Sequence, residues 1–130
     1  MNKKEKLYEA FGELIYVVAM ADGIIQPEEI NTLHTILANH PWASDIEWSF
    51  NYEVSHHQDL EYLYKKVLSI CYQNGPDPEY QFLIDLLENI AQASNSFETE
   101  KKVIAKFTNE LTERFKNDID KLNVDTVEDS

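Results

Sequence analysis

The chain has 130 residues, of which 43% are hydrophobic, and a formal net charge of −13. This length and apolar content suit one domain with a single core, so neither a disordered chain nor a multidomain protein is expected. A surface this acidic repels phosphate backbones and anionic lipids, so the composition also argues against binding to nucleic acid or to a membrane surface.

Further features of the sequence indicate where the protein works. The lone Cys71 cannot form an internal disulfide, which fits a reducing compartment. No apolar run reaches the roughly 18 residues of a membrane span, and the N-terminus lacks the apolar region of a signal peptide. We therefore expect a cytoplasmic protein with no membrane span.

The first two predicted helices are separated by a short turn. Apolar residues recur at spacings of three and four from about residue 4 to residue 21, and the second half of this helix is almost entirely apolar, so it should be buried. Asp22 and Gly23 should end it, because glycine can adopt positive φ. Pro27, followed by two glutamates, begins a second helix that should extend to about Asn39.

The remaining helices are predicted with different clarity. Residues 45–51 could form a short helix within the aromatic segment of residues 42–52. Ser55 and Gln58 suggest a capping box for a long helix that ends near Asn74. Another helix should begin at residues 77–79 and end at residues 94–96. The last should begin near Phe97.

A weak internal repeat relates residues 15–37 to residues 87–107. Each copy has an apolar helix end, a short polar break, one apolar residue and a helix that begins with acids. The repeat predicts two helical hairpins packed about a pseudo-two-fold axis. The predicted fold is therefore all-α: a compact bundle of two pseudo-repeated hairpins over residues 1–122, followed by an acidic, disordered tail over residues 123–130.

The turn between the first two helices carries the clearest candidate for a binding site. It matches the second half of an EF-hand calcium loop, with Asp22 at loop position five and Glu29 as the bidentate acid at position twelve. Positions one and three would be Val18 and Met20, whose side chains carry no oxygen. A cation bound here would need carboxylates from elsewhere in the fold.

The same turn carries a family resemblance. An apolar helix ends in Ala21, Asp22 and Gly23, and a proline, two glutamates and Leu33 follow. This pattern resembles the signature of the TerB family of tellurite-resistance proteins and of the N-terminal segment of DjlA-type co-chaperones, over about residues 7–111. The resemblance implies an all-helical bundle whose clustered acids hold a divalent metal in a stress response to tellurite or metal.

Carried over to this chain, the family's acidic site would fall on Asp22 and Glu29, with Glu28 as a neighbour. The second turn of the family tends to repeat Asp-Gly, whereas this chain has Ser, Asn and Ser at residues 94–96. Only Glu98 or Glu100 would then supply a carboxylate from the second half. Ligands that are all oxygen favour calcium or magnesium over zinc.

The turn also has an ordinary structural explanation. Asp-Gly is a common turn, and Glu29 could cap the start of its own helix. The carboxylates would then stabilise the backbone without binding a metal.

The aromatic segment has two explanations as well. It could form a satellite core beneath a long connection, or it could bind a protein partner or a second copy of the chain. The candidate partner-binding residues are Trp42, Trp48 and Tyr52, because aromatic side chains anchor interfaces well.

Two functions follow from these candidates. One is a TerB-like acidic module that binds a divalent cation, and the alternative is a metal-independent protein-interaction module, as the co-chaperone relatives would imply. The sequence shows no Ser-His-Asp grouping, phosphate-binding loop or nucleotide fingerprint, so we expect no enzymatic activity.

Overall fold

The computed structural model describes the backbone of residues 3–129 and the side chains of residues 4–116. Six α-helices make up the described backbone: α1 (Lys3–Ala19), α2 (Pro27–Leu37), α3 (Ala43–His56), α4 (Leu60–Asn74), α5 (Glu79–Gln92) and α6 (Phe97–Asp129). This part of the chain contains no β-strand, so the predicted all-α class is confirmed. Within the same residues, no helix is both long enough and apolar enough to cross a membrane.

Helix α1 forms the centre of the bundle. All its side chains from Phe11 to Ala19 are buried, and it contacts α3, α4, α5 and α6. A helix that is apolar on nearly every side can be stable in water only when other elements surround it. The predicted burial of its second half is therefore confirmed.

Gly12 allows α3 to pack directly on α1. A Cβ atom at this position would lie 2.8 Å from the Cβ of Ser49 and 2.9 Å from the backbone nitrogen of Phe50. Ser49 also donates a hydrogen bond of 2.6 Å from its hydroxyl to the carbonyl oxygen of Glu9. This close approach brings acidic side chains of α1 and α3 together.

Helix α3 differs most from the sequence prediction. It extends from Ala43 to His56, well beyond the short helix predicted over residues 45–51. The predicted capping box at Ser55 and Gln58 is wrong, because Ser55 lies inside α3. The cap of α4 is instead Asp59, whose Oδ2 accepts a hydrogen bond of 2.9 Å from the backbone nitrogen of Tyr62.

The turn before α2 and the turn before α6 lie side by side. The side-chain nitrogen of Gln26 donates to the Ser94 hydroxyl oxygen at 3.2 Å, and the backbone nitrogen of Asn95 donates to the Gln26 side-chain oxygen at 3.0 Å. These two bonds hold the first turn of α2 next to the first turn of α6.

Three predictions about the overall organisation are not tested by these residues. The pseudo-two-fold relation between the hairpins stays a prediction. The bounds of α6 include most of residues 123–130, for which the sequence predicts a disordered acidic tail. The side chains beyond Lys116 lie outside the described residues, so the tail and the domain limit at residue 122 also stay predictions.

Candidate functional site

Glu29 and Glu100 are buried carboxylates in the first turns of α2 and α6. Glu29 is 2% exposed and Glu100 is 0% exposed. Each glutamate begins the apolar stripe of its helix: Leu33 and Leu37 follow Glu29 at spacings of four, and Ile104 and Phe107 follow Glu100 at four and seven. Helical periodicity therefore turns both carboxylates toward the core.

Most of the oxygen atoms of this buried pair lack a partner. The Oε1 atom of Glu29 accepts a hydrogen bond of 3.0 Å from the backbone nitrogen of Gln26, which is the capping contact expected of a glutamate in a first helical turn. The Oε2 atom of Glu29 and both side-chain oxygens of Glu100 accept no hydrogen bond from the described residues. Burying a carboxylate oxygen without a hydrogen-bond partner costs free energy, which a proton or a bound cation could offset.

Burial and mutual repulsion change how the pair titrates. Burial is the largest cause that raises the pKa of Glu100, to about 8, and the adjacent Glu29 carboxyl raises it further. The pKa of Glu29 is also raised, mainly by burial, although the backbone N–H of Gln26 and the adjacent Glu100 carboxyl oppose this shift. Two adjacent buried carboxylates without a cation cannot both ionise easily. Burial beside Glu29 therefore favours the protonated form of Glu100 at neutral pH.

Asp22 lies near this pair but differs from it in burial and in partners. Its Oδ1 atom accepts a hydrogen bond of 3.1 Å from the backbone nitrogen of Ile24. Hydrogen bonds from the Ser96 hydroxyl and then from Ile24 lower the pKa of Asp22. The negative charge of Asp22 in turn raises the pKa values of Glu29 and Glu100. Asp22 is thus an ionised neighbour of the buried pair.

Glu28 and Glu98, the other two candidate ligands, have exposed side chains. Neighbouring residues on a helix point about 100° apart, so Glu28 cannot share the inward direction of Glu29. Across the described residues, no three side chains of His, Cys, Asp or Glu lie close enough together to hold a metal ion. The structure therefore brings together two of the five predicted ligands, with Asp22 beside them.

The aromatic candidates divide into a packed residue and two exposed ones. Trp42 is partly buried, and its ring stacks on Tyr8 with centroids 5.0 Å apart. Trp48 is 60% exposed and Tyr52 is 40% exposed, with their rings stacked at 5.5 Å. Trp42 thus packs against the main core and not in a satellite core, whereas Trp48 and Tyr52 form part of the surface.

A second group of buried acids was not predicted from the sequence. Glu13 on α1 and Glu53 on α3 are both buried. The ammonium of Lys66 donates to Glu13 at 2.8 Å, and the amide of Gln58 donates to both oxygens of Glu53 at 3.0 Å. The one signal in the sequence is Glu13 itself, an acid within the apolar run of α1.

The chain matches no protein-family model, and comparisons with curated proteins and with solved structures find no match either. The resemblance to the TerB family therefore stays a prediction.

Proposed function

We propose that the protein is a non-enzymatic, acidic helical module of the TerB type that binds a divalent cation at Glu29 and Glu100. The observation that supports this function is the set of three buried carboxylate oxygens without a hydrogen-bond partner among the described residues. A divalent cation would contact these oxygens together and neutralise both carboxylates, whereas one proton neutralises only one of them.

The surrounding groups favour a hard cation. Besides the two carboxylates, the nearby oxygen atoms that could act as ligands are the hydroxyl of Ser94, the side-chain oxygen of Gln26 and the carboxylate of Asp22. Calcium and magnesium prefer such oxygen ligands, and zinc prefers nitrogen and sulfur. With only two buried carboxylates, the expected dissociation constant is roughly 10⁻⁴ to 10⁻³ M.

Binding should be coupled to the release of a proton. Glu100 holds its proton up to about pH 8 in the folded protein. A cation must displace this proton, so the apparent affinity should rise with pH until Glu100 is ionised without the metal. This coupling distinguishes a cation at the buried pair from weak ion attraction to the acidic surface, which is ionised well below neutral pH.

Calorimetric titration of chelator-treated protein with calcium, magnesium, manganese and zinc tests the proposal. The double variant Glu29→Gln/Glu100→Gln should lose binding, and the number of protons released should follow from titrations in two buffers of different ionisation enthalpy. The matched control is Glu28→Gln/Glu98→Gln, which removes two exposed carboxylates one and two residues away from the buried pair. This control should bind as the unmodified protein does.

Two outcomes would contradict the proposal. One is the absence of both heat and a change in melting temperature at millimolar metal. The other is an equal loss of binding in the two double variants, because it would assign the effect to the total surface charge.

The burial of the pair also supports a non-enzymatic function. Glu100 has the raised pKa of a potential general acid, but it is completely buried, so a substrate would have no surface to approach. A small cation could enter through a local opening of the adjacent turn, where Ile24 is exposed and Gly23 has a φ of 90°.

A second candidate function is protein interaction independent of metal. The observation that favours it is the exposure of Trp48 and Tyr52 on α3, since large aromatic side chains at a surface are typical anchors of protein interfaces. Capture of a partner should then persist in the Glu29→Gln/Glu100→Gln variant and weaken in Trp48→Ala.

A further inference from the structure

Three exposed rings follow one another along α3. Trp48, Tyr52 and His56 are spaced by four residues and therefore share one face of the helix. The ring of Tyr52 stacks on Trp48 at 5.5 Å and on His56 at 3.8 Å. We call these three residues the aromatic shelf. Its stacked rings are held in place before any partner arrives, which lowers the entropic cost of binding.

An acidic cleft borders the aromatic shelf. Trp48 and Tyr52 line a cleft of about 290 Å³ together with Glu9, Glu13, Glu53 and Lys66. Three carboxylates oppose one ammonium there, so the cleft carries a net charge of −2 when all four groups are ionised. We call these four charged residues the acidic cleft.

The acidic cleft already binds one cation of the chain itself. The ammonium of Lys66 lies 2.8 Å from Glu13, whereas Glu9 makes no salt bridge with the described residues. Burial and then the negative charges of Asp45 and Glu13 raise the pKa of Glu9, and the ammonium of Lys66 partly opposes this shift. A second cation would relieve this repulsion.

We propose that the aromatic shelf and the acidic cleft together bind an arginine-bearing basic segment of a partner protein. A guanidinium group can stack flat on an aromatic ring and donate hydrogen bonds to a carboxylate with the same planar group. The shelf and the cleft supply these two contacts side by side. The net charge of −13 would attract such a segment and repel acidic ones, including a second copy of this chain. The inference rests on the second candidate function, protein interaction, and is independent of the cation site.

The test is a titration of the full chain with a fluorescently labelled peptide of alternating glycine and arginine, followed by anisotropy. We expect saturable binding, weakened about ten-fold by Trp48→Ala and largely retained in Trp48→Phe, because phenylalanine keeps a ring face for the guanidinium. Glu9→Gln should weaken binding several-fold, whereas Glu98→Gln, an equal loss of charge at an exposed site on α6, should not. Trp48 is exposed, so its replacement should leave the circular dichroism spectrum and melting temperature unchanged.

Several outcomes would overturn the inference. A lysine peptide that binds as tightly as the arginine peptide, with no effect of Trp48→Ala on either, would indicate general charge attraction. A mass that doubles with concentration in sedimentation, and does so only while Trp48 is present, would make the shelf a self-association surface. That result would reject a basic partner but retain protein interaction as a function. If the arginine peptide does not bind and the protein does not self-associate, both the basic partner and protein interaction as a function are rejected.

Discussion

The protein contains two pairs of buried glutamates, and the two pairs differ in their hydrogen-bond partners. Glu13 accepts a hydrogen bond from the ammonium of Lys66, and both oxygens of Glu53 accept from the amide of Gln58, so three of the four carboxylate oxygens have a partner. Glu29 and Glu100 receive one backbone N–H from Gln26. Burial raises the pKa of Glu53, and Gln58 and Lys66 oppose the shift, but no cation among the described residues opposes the shift at Glu100.

This difference shows that buried glutamates can have very different partners. The Glu13–Glu53 pair has a compensating cation, Lys66, within the chain. The Glu29–Glu100 pair is complete only when a proton or an external cation is added. The first arrangement is expected of a structural ion pair, and the second is the one on which the proposed cation site rests.

The largest predicted effect is the pH dependence that Glu100 gives to stability. Its pKa is raised from 4.5 to about 8 in the folded protein, so folding binds a proton between these values. The free energy of unfolding should be highest below pH 4.5 and fall as pH rises to about 8, by on the order of 5 kcal/mol. Denaturant unfolding of the unmodified protein and of Glu100→Gln across this range measures the difference.

Glu100→Gln should lack the pH dependence that Glu100 gives to stability, and at about pH 8 it should be more stable than the unmodified protein. Glu98→Gln, which removes an exposed acid of the same helix, serves as the control and should follow the unmodified protein. Parallel pH profiles for Glu100→Gln and the unmodified protein would show that Glu100 ionises normally.

Gly12→Ala should break the Glu13–Glu53 pair by separating the helices that hold it. The added Cβ would collide with the backbone of α3 at Ile46 and Phe50, because α1 and α3 are in direct contact. We expect a loss of about 2 to 3 kcal/mol in urea unfolding, net of the better helix propensity of alanine.

Gly23→Ala is the informative control for Gly12→Ala. A Cβ at Gly23 meets no atom within 4 Å, so its cost comes only from the positive φ of 90° and should be about 1 kcal/mol. If Gly12→Ala lowered the free energy of unfolding no more than Gly23→Ala does, the result would contradict the close packing of α1 on α3.

Lys66→Met should make the Glu13–Glu53 pair resemble the Glu29–Glu100 pair. Without the ammonium, the buried Glu53 loses one of the groups that oppose the rise of its pKa, so stability should fall as pH rises above the ordinary range of a glutamate. The side chain of Lys66 is 41% exposed, so solvent screening limits the expected loss to about 1 kcal/mol.

Lys65→Met is the matched control for this variant. Lys65 pairs with Glu61, and both side chains are largely exposed, so its loss should have little effect at any pH. Equal pH profiles for the two variants would contradict a specific role for Lys66.

The sequence predicted most of the fold because local patterns determine it. The apolar residues of α1, α2, α4 and α5 repeat at helical spacing, and their ends are marked by glycine, proline or polar turns. The length of α3 was underestimated because Trp48 and Tyr52 face solvent and interrupt its apolar stripe. Without that stripe, residues near Ser55 looked like the start of the next helix.

The candidate site could be predicted only in part. The pattern around Asp22 pointed to Glu29, but the choice between Glu98 and Glu100 depends on which face of α6 turns inward. The spacing from Glu100 to Ile104 and Phe107 contains that information, although it becomes decisive only once the core is known. The Glu13–Glu53 pair joins α1, α3 and α4, so no local pattern could reveal its partner Lys66.

The smallest predicted effect concerns whether Asp22 is a ligand or only a charged neighbour of Glu29 and Glu100. Asp22→Asn keeps the side-chain oxygen that accepts the hydrogen bond from Ile24, so the turn should persist and stability should change by less than about 0.5 kcal/mol. The lost charge should lower the pKa of Glu100, because Asp22 raises it in the unmodified protein. The pH at which stability falls should therefore move slightly downward.

The metal titration then separates the two roles. If Asp22 is only a neighbour, the Asn variant should bind the cation nearly as well as the unmodified protein and should need less alkaline conditions to do so, since the competing proton leaves earlier. If Asp22 is a ligand, affinity should drop about ten-fold or more even at a pH where Glu100 is already ionised. The comparison at high pH is decisive because the proton no longer competes there.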